Sequence, residues 1–561
     1  MSLDSESLDL LGETETTVVS LDRESRELLG ESAMPDESAM VGGAHDAAKR
    51  NERTLALWNP PLRSADRDIM PDKPVLDARA RDVLRNDAYV RGGATIYQDS
   101  IVGSLYALNS KPSLKVLGKG FDDAWEEEFQ EEVEERFTLW AESPDNLVDA
   151  SRHNTLTEMV RLATGVHVAA GEVLASVEWL RGGGRPYNTA IQFIDTDRLS
   201  NPPERLFDAR LVGGIEKDRY GAAVAHHIRQ AHPSDYNAGV ERYRWKRVPV
   251  RKPWGRMQML HIYEQQRPDQ TRGVTDMVSA LKEIRITKQF RDVELQRAVV
   301  NATYAASIES DLPSADVFAS MGAQDNVAAA MEQWTTGYLG QIAEYSGGAK
   351  NLALDGVKIP HLFPGTKLNL HQAGKGGPLG QQFEQSLLRY IAASLGVSYE
   401  QLSRDYSNTN YSSARAAMSE TWKRMSATKR MVADRFATTV FRLWLEEVVN
   451  KGRIESLPSI ARRSGWLYQD QHLDALSRCD WIGASRGQID ELKETQAAIL
   501  RMRHGLSTLE IEAGRQGQDW RALTKQQKRE QTVREAAGLP LVTQDNTVNA
   551  ISGDPREAKE D

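Results

Sequence analysis

Two long segments without glycine or proline dominate the pattern of polar and apolar positions in the chain. Residues 414–450 carry an apolar stripe at helical spacing, and a helix over this range would be roughly 55 Å long at about 1.5 Å per residue. In residues 276–306 mixed charges surround an apolar side, which is typical of a helix packed among others through polar contacts. Each segment is predicted to form a single long helix.

A shorter helix is predicted just before the longest one. Apolar residues fall every fourth position from Phe383 to Leu395, and Gly396 follows where a C-terminal cap is expected. A polar stretch rich in Tyr, Ser and Asn, residues 399–413, then leads into the helix that begins near Ala414. The pattern therefore predicts two helices joined by a polar loop.

The rest of the chain mixes helical and strand-like patterns. Helical spacing covers 77–104, 122–140, 155–170, 489–503 and 508–537, with turns at 182–184 and 505. Strand-like alternation covers 172–179, 190–194, 222–228 and 242–250. These patterns predict an α+β fold for residues from about 49 onward, and 538–561 is expected to be a loose tail.

Charge is unevenly distributed along the chain. The formal net charge is −10, and residues 1–48 account for all of it, with twelve Asp and Glu against two Arg. This acidic segment lacks aromatic residues and is predicted to be disordered. Its residues 2–13 return in similar form at 20–31, either as two copies of a docking helix for an assembly partner or as a solvated tail that grew by duplication.

Composition excludes several classes of protein. The one cysteine, Cys479, excludes an intramolecular disulfide framework and a cysteine-rich zinc site, which suits a reducing compartment. No apolar run approaches the roughly 18 residues that a membrane span requires, and the acidic N-terminus does not resemble a signal peptide. We therefore expect synthesis in the cytoplasm and no membrane partner.

Catalytic and metal-binding signatures are weak. The glycines at 374 and 376 flank a lysine, but the remaining residues of a phosphate-binding loop are missing. His226, His227 and His232 lack acidic or cysteine partners at ligand spacing, and adjacent residues of a strand point to opposite faces. The sequence thus predicts no cofactor, no metal and no enzymatic activity.

One segment, residues 242–256, interleaves seven basic residues with three aromatic residues, a composition able to bind phosphates and stack on bases. The same alternation and its prolines equally suit an exposed edge strand whose charges discourage pairing with other strands. Both interpretations stay open. The residues concerned are Arg242, Arg244, Trp245, Lys246 and Arg247.

Four short strings, in order along the chain, resemble those of the portal proteins of tailed bacteriophages, specifically the lambda-like group. They lie at 81–103, 264–274, 402–415 and 479–483, the last followed by 505–508. Together they extend the resemblance over roughly residues 50 to 540. Two positions depart from the family pattern, since Asp269 stands where the family usually has Gly and Thr275 where it has Pro, and both affect the turn before the 276–306 helix.

The resemblance implies a portal fold with wing, stem, clip and crown, arranged as long helices around the central channel of a ring, usually of twelve subunits. The implied divisions are a tail at 1–48, wing at 49–275 and 452–483, stem helices at 276–306 and 379–396, clip at 307–378, tunnel loop at 397–413, long wing helix at 414–451, crown at 484–537 and a tail at 538–561. Such a ring sits at one capsid vertex of the virion after assembly in the host cytoplasm. Double-stranded DNA is packaged and ejected through it.

The resemblance also implies partners and site residues. The partners are the large terminase, the head-tail adaptor, and the major capsid and scaffolding proteins. Near-neutral charge suits a channel loop, because each Lys or Arg contact with phosphate would slow sliding DNA. The loop residues expected to face DNA are Arg404, Tyr406, Asn408, Asn410 and Tyr411, although the two tyrosines could instead anchor the loop on neighbouring helices. Arg291 and Glu294 are expected to form contacts between subunits of the stem. The alternative function is a non-enzymatic DNA-binding protein that uses residues 242–256.

Overall fold

The computed structural model describes residues 53–54, 56–303, 336, 351–354, 357–360, 378–407, 409–487 and 490–539. The chain divides into two units, residues 1–64 and 65–561. In the first unit the described residues form turns and coil, and the Asn59 side chain donates to the Ala56 carbonyl at 2.8 Å. The predicted tail at 1–48, nearly all of the predicted clip and most of the C-terminal tail lie outside the described residues.

The second unit mixes helices with antiparallel sheets. Its helices are α1 Ala65–Ile69, α2 Lys73–Asn86, α3 Ala88–Ile101, α4 Leu114–Leu117, α5 Asp123–Ala141, α6 Leu156–Ala170, α7 Leu281–Thr303, α8 Pro378–Leu395, α9 Tyr399–Ser403, α10 Tyr411–Thr428, α11 Arg435–Asn450, α12 His472–Leu476, α13 Glu491–Arg503, α14 Leu509–Arg515 and α15 Trp520–Ala536. The predicted α+β class is confirmed. None of the described helices is long and apolar enough to cross a membrane.

The strands form four separate antiparallel sheets. They are β1 Ala107–Ser110, β2 Glu172–Trp179, β3 Thr189–Phe193, β4 Leu211–Val212, β5 Ile215–Lys217, β6 Ala223–Arg229, β7 Trp245–Pro249, β8 Met259–Tyr263, β9 Asn351–Leu354, β10 Val357–Pro360 and β11 Cys479–Ile482. Their orders are β3-β2-β8, β4-β5-β6-β7, β1-β11 and β9-β10. In the three-stranded sheet, Ala175 of β2 pairs with Phe193 on one side and Leu260 on the other.

The main core is built around the long helix that the sequence predicted over 414–450. It is realised as α10, a π-helical turn at Lys429–Asp434 and α11, in continuous succession. Lys429 and Asp434 form an ion pair at 2.7 Å, and their i, i+5 separation matches the π-helical repeat. Trp444 of α11 is fully buried against Phe137 and Trp140 of α5. The apolar stripe of the sequence is therefore the core-facing side.

Two predicted helices are wrong in their continuity. The single helix expected over 77–104 breaks at Asp87, whose side chain caps α3 by accepting from the amides of Tyr89 and Val90, both at 3.0 Å. The helix expected over 508–537 breaks after α14, and Asp519 caps α15. In both places the Asp is more favourable as an N-cap, where its carboxylate accepts hydrogen bonds from free backbone amides, than it would be inside a continuous helix.

A buried ionic cluster joins the three-stranded sheet to the segment that leads into α7. Glu172 of β2 is fully buried and binds Arg272 through contacts of 2.5 and 2.9 Å, Lys73 at 3.2 Å and His261 at 3.0 Å. Burial by itself raises the pKa of Glu172, but Arg272 and Lys73 outweigh it and hold that pKa well below its usual value. Lys73 also pairs with Asp77 at 3.0 Å. The carboxylate is thus charged and fully bonded in the interior.

Two glycines allow the backbone to cross at this cluster. Gly171 has φ +75, and a Cβ there would lie 2.1 Å from the carbonyl carbon of Val274. At Gly273 a Cβ would lie 2.2 Å from the Gly171 oxygen. Thr275 then caps the next turn and donates from Oγ1 to the Val168 carbonyl at 2.7 Å. The family-like string at 264–274 therefore marks a close backbone crossing.

Candidate functional site

The polar loop predicted at 399–413 is shorter in the structure, because both of its ends are helical. Residues 399–403 form α9, which begins with a capping box between Ser398 and Gln401. Leu402 of α9 is buried in the main core. The described residues between these helices, 404–407 and 409–410, are irregular, and we call the segment 404–410 the apical loop.

The apical loop is exposed and nearly neutral. Arg404 ends α9 in the left-handed region at φ 56, and its side chain is exposed. Tyr406 is 51% exposed, so it is not anchored in the core. Asp405 accepts from the backbone and hydroxyl of Ser407, and these bonds lower its pKa. The loop therefore carries one cation and one anion on an otherwise uncharged surface.

The remaining predicted loop residues have different places. Asn410 is exposed, and its side chain caps α10 by accepting from the amide of Ser413 at 2.8 Å. Tyr411 is the first residue of α10. Asn408 lies outside the described residues. The structure thus brings Arg404 and Tyr406 together on an exposed loop and gives Asn410 a structural bond.

The base of the apical loop is fastened to three neighbouring elements. Tyr97 of α3 donates to the Leu395 carbonyl at 2.5 Å. Thr421 of α10 donates to Gln401 of α9 at 2.7 Å. Arg424 of α10 forms an ion pair with Asp276, at the turn that leads into α7. The sequence patterns did not reveal these anchors, because each joins residues far apart along the chain.

Helices α7 and α8 form an antiparallel pair beside this base. Phe290 packs against Phe383 with ring centroids 5.3 Å apart, and the hydroxyl of Tyr390 donates to the Ser279 carbonyl at 3.4 Å. Two large apolar side chains of α7 are exposed, Val293 at 60% and Leu295 at 66%. They are two positions apart, so they lie on different sides of the helix, and both sides are open to solvent in the single chain.

The two stem residues predicted to join subunits have partners within the same chain. Arg291 donates to Glu384 of α8 at 2.7 Å and stacks over the ring of Tyr89 at 4.5 Å. Glu294 pairs with Arg297 at 3.3 Å on an exposed surface. Arg291 is therefore committed to the helix pair, whereas Glu294 lies where a neighbouring chain could reach it.

The basic and aromatic segment forms the edge of the four-stranded sheet, as the edge-strand interpretation predicted. β7 pairs with β6 alone in that sheet. Arg247 donates to Glu216 at 2.8 Å, and Trp245 donates to Ser200 at 3.1 Å while Arg229 stacks on its ring. Arg242 stacks on the rings of Tyr236 and Tyr243. Arg244 pairs with Glu241, and Lys246 is exposed. Most of these groups are thus engaged within the chain.

The histidines considered as metal ligands do not meet. His226 is buried, and burial lowers its pKa to about 3, while His227 contacts Glu216 at 3.2 Å. Among the described residues, one group of possible ligands combines Asp195, Asp197 and His232. Arg81 already donates to both of these aspartates. The backbone amide of Ser234 donates to Nδ1 of His232 at 3.1 Å, so the imidazole carries its proton on Nε2, which faces Asp197. We interpret this group as an ion-pair network.

The α+β fold, the antiparallel pair of α7 and α8 and the exposed loop after α9 fit a phage portal protein, and comparison with known sequences agrees. The family model described as "Phage portal protein, lambda family" matches residues 51–429, and the chain belongs to this family. It is 36% identical over 501 residues to "Portal protein B" of Escherichia phage lambda, covering 89% of this chain and 91% of that protein. It is 37% identical over 486 residues to "Portal protein" of Escherichia phage N15, covering 86% and 89%.

Solved structures with similar chains come from gene transfer agent particles. One is titled "Neck of native GTA particle computed with C12 symmetry", with a TM-score of 0.34, 12% identity, and coverage of 80% of this chain and 99% of that one. Another is titled "Virion of native gene transfer agent (GTA) particle", with a TM-score of 0.35, 14% identity, and coverage of 87% and 96%.

Proposed function

We propose that copies of this portal protein form a closed ring of twelve subunits at one capsid vertex, through which double-stranded DNA is packaged and ejected. Membership of the lambda family over residues 51–429 carries the proposal. The ring is assembled in the host cytoplasm and remains in the virion. The chain supplies a conduit and a docking platform, and a separate terminase ATPase supplies the energy for packaging.

The proposed divisions of the chain follow the family plan. Wing is assigned to 49–275 and 452–483, and crown to 484–537. The stem is assigned to 276–306 and 379–396, which the antiparallel packing of α7 and α8 supports. The clip is assigned to 307–378, where terminase and then the head-tail adaptor would dock. The wing would face the major capsid and scaffolding proteins.

The apical loop is the proposed lining of the channel at its narrowest point. Its base is fixed by the contacts of Tyr97, Thr421 and Arg424, so that the loop can project without moving its supporting helices. Its single cation is balanced by a neighbouring anion. Each additional phosphate contact would make DNA affinity more salt-dependent, by a slope of about 0.9, and ring symmetry would repeat that contact in every subunit.

The outer face of the stem pair is the proposed contact between neighbouring subunits. A closed ring joins two different faces at each interface, and Val293 and Leu295 are apolar residues on different sides of α7 that one chain leaves uncovered. Glu294 lies between them in sequence. We expect Val293→Asp to impair ring assembly at every salt concentration. Glu294→Arg should impair it mainly at low salt, because an exposed pair contributes only about 0–1 kcal/mol.

A charge added to the apical loop tests the channel assignment. Ser407→Lys should leave ring formation intact, because residue 407 is exposed, but should slow DNA packaging in a salt-dependent manner. Ser407→Gln is the control of similar size without the charge. Rings are counted by negative-stain microscopy, and packaged DNA is measured by its resistance to nuclease.

Deletion of residues 404–409, which keeps the cap at Asn410 and replaces the deleted segment by a short Gly-Ser bridge, provides a second test of the same assignment. Rings should form because the anchoring contacts lie outside this segment, while packaging or retention of DNA should fail. Full packaging by the deletion, or identical packaging by Ser407→Lys and Ser407→Gln, would refute the channel role of the loop.

A further inference from the structure

The helix α15 differs from the other long helices of the protein because it buries none of its residues. Its five cations outnumber its two anions, so the helix carries a net charge of +3 in a chain of −10. Val533, near its C-terminal end, is 66% exposed. By contrast, α11 buries most of its length in the main core. The partly buried apolar residues of α15 are Trp520 and Leu523 in its first turn, so apolar packing is confined to that end of the helix.

The surface beneath α15 is the acidic side of α5. That helix contains eight acidic residues and one arginine over Asp123–Ala141. Arg521 of α15 pairs with Glu134 at 3.4 Å and also donates to Gln130. Lys525 pairs with Glu131 one turn further along, where both side chains are about 60% exposed. The carboxylates of α5 therefore bind α15 through two of its five cations.

Ionic contacts of this kind are weak and exchangeable. The Lys525–Glu131 pair is exposed and contributes about 0–1 kcal/mol, whereas the side chains of Arg521 and Glu134 are 30% and 18% exposed. Salt screens the exposed pair over a Debye length of about 10 Å at 0.1 M. The remaining cations of α15 include Lys528 and Arg529, which are exposed and take no part in the ion pairs to α5. A ligand of higher negative charge density could bind these two residues first and then compete for Arg521 and Lys525.

We infer that α15 is a detachable basic arm, which α5 holds by its carboxylates and which the phosphate backbone of double-stranded DNA can take from it. Duplex DNA carries one charge per about 1.7 Å of its axis and releases counterions when cations bind, so it competes well against a few glutamates. The arm lies outside the apical loop, and its binding does not depend on the channel proposal.

Hydrogen–deuterium exchange of the full-length protein tests whether the arm detaches. Backbone amides of 520–536 should exchange faster as NaCl is raised from 50 to 500 mM, because their docking is ionic. Amides of 435–450 provide the internal control, since apolar burial holds that helix at both salt concentrations. Exchange of 520–536 that does not change with salt would overturn the inference that the arm is held by charge.

Binding of a fluorescent 20-base-pair DNA duplex tests the competition. Glu131→Gln with Glu134→Gln removes the competing carboxylates and should tighten binding several-fold. The control, Glu127→Gln with Glu128→Gln, makes the same charge change on the same helix at positions that do not pair with α15, and should tighten binding much less. Equal affinities for the two double variants would show that α5 does not compete with DNA.

A third double variant changes the basic residues of α15 itself. Lys528→Gln with Arg529→Gln should weaken duplex binding and reduce the salt slope by about 2, because two phosphate contacts are lost. An unchanged slope would overturn the assignment of the arm as the DNA-binding element. Circular dichroism verifies folding, and negative-stain microscopy of each variant records ring formation separately. Failure of the arm is thereby distinguished from failure of the portal proposal.

Discussion

Replacing Glu172 by Gln would measure how strongly the fold depends on its buried ionic cluster. The substitution keeps the size of the side chain but removes the charge that faces Arg272, Lys73 and His261. Lys73 would retain Asp77, and Arg272 would retain only backbone carbonyls, such as those of Leu199 and Gly213 at 2.9 and 2.8 Å. The buried guanidinium would thus lose its counter-charge.

Removal of one partner of a buried ion pair costs about 3–5 kcal/mol, because the other charge stays desolvated. Domains are stable by only about 5–15 kcal/mol, so Glu172→Gln should remove a large share of the stability of this unit. At a urea slope of about 2–3 kcal/mol/M, the unfolding midpoint should fall by about 1–2.5 M. Urea unfolding followed by tryptophan fluorescence provides the measurement.

Glu178→Gln is the matched control, since Glu178 lies on the same strand and is partly exposed, with a bond to Ser176 at 2.8 Å. It should shift stability by no more than about 0.5 kcal/mol. Because the pKa of Glu172 is depressed, its contribution is complete above the unfolded pKa near 4.3 and declines as pH falls through the folded pKa. A midpoint for Glu172→Gln equal to that of Glu178→Gln at pH 7 would refute this reasoning.

Substitutions at four further positions have directions that the structure determines. His226 has a pKa of about 3 through burial, so stability is lost as pH falls from about 6.5, and at pH 5 that loss is about 2 kcal/mol. His226→Phe should abolish this part of the pH dependence, and melting curves that remain parallel to wild type between pH 7 and pH 5 would contradict it. Asp269 has φ +63, so Asp269→Gly should stabilise the protein by about 0.5–1 kcal/mol and Asp269→Val should destabilise it, as urea titration would show. Gly273→Ala should cost about 1–3 kcal/mol, because the new Cβ would collide with the Gly171 backbone. Gly92→Ala is the control, since its Cβ would meet no atom within 4 Å and the change should be neutral or stabilising. Equal melting temperatures for the two variants in thermal denaturation would refute the close backbone crossing at Gly171 and Gly273.

The departures from the family pattern at 269 and 275 have a structural explanation. Asp269 occupies the left-handed region, which favours glycine and tolerates aspartate better than most residues. Thr275 has φ −66 and ψ 141, angles that proline also adopts, and its hydroxyl makes the bonds that proline could not. The turn before α7 therefore keeps its geometry with different residues.

The sequence by itself determined the α+β class, the long helix over 414–450, the short helix before it and four of the eleven described strands. These features depend on periodic spacing of apolar residues and on glycine or proline at the ends, which are local properties of the chain. Ordered strings of residues also determined the family. The break at Asp87 was missed because helical spacing continues through it, and the capping bond of the Asp87 side chain begins a new helix there. The break before Asp519 lies at Gly517, whose φ of +74 favours glycine, and this local signal was overlooked.

Only the tertiary structure decided how charges are paired. Arg272 meets Glu172 from 100 positions away, and Arg424 meets Asp276 across 148 positions. Arg291, expected between subunits, joins Glu384 of its own chain across 93 positions. A charged residue shows no periodic signal for its partner, since pairing depends on which elements pack together. Likewise, the sequence shows that α5 is acidic and α15 is basic, but only the packing of the two helices brings Arg521 to Glu134 and Lys525 to Glu131.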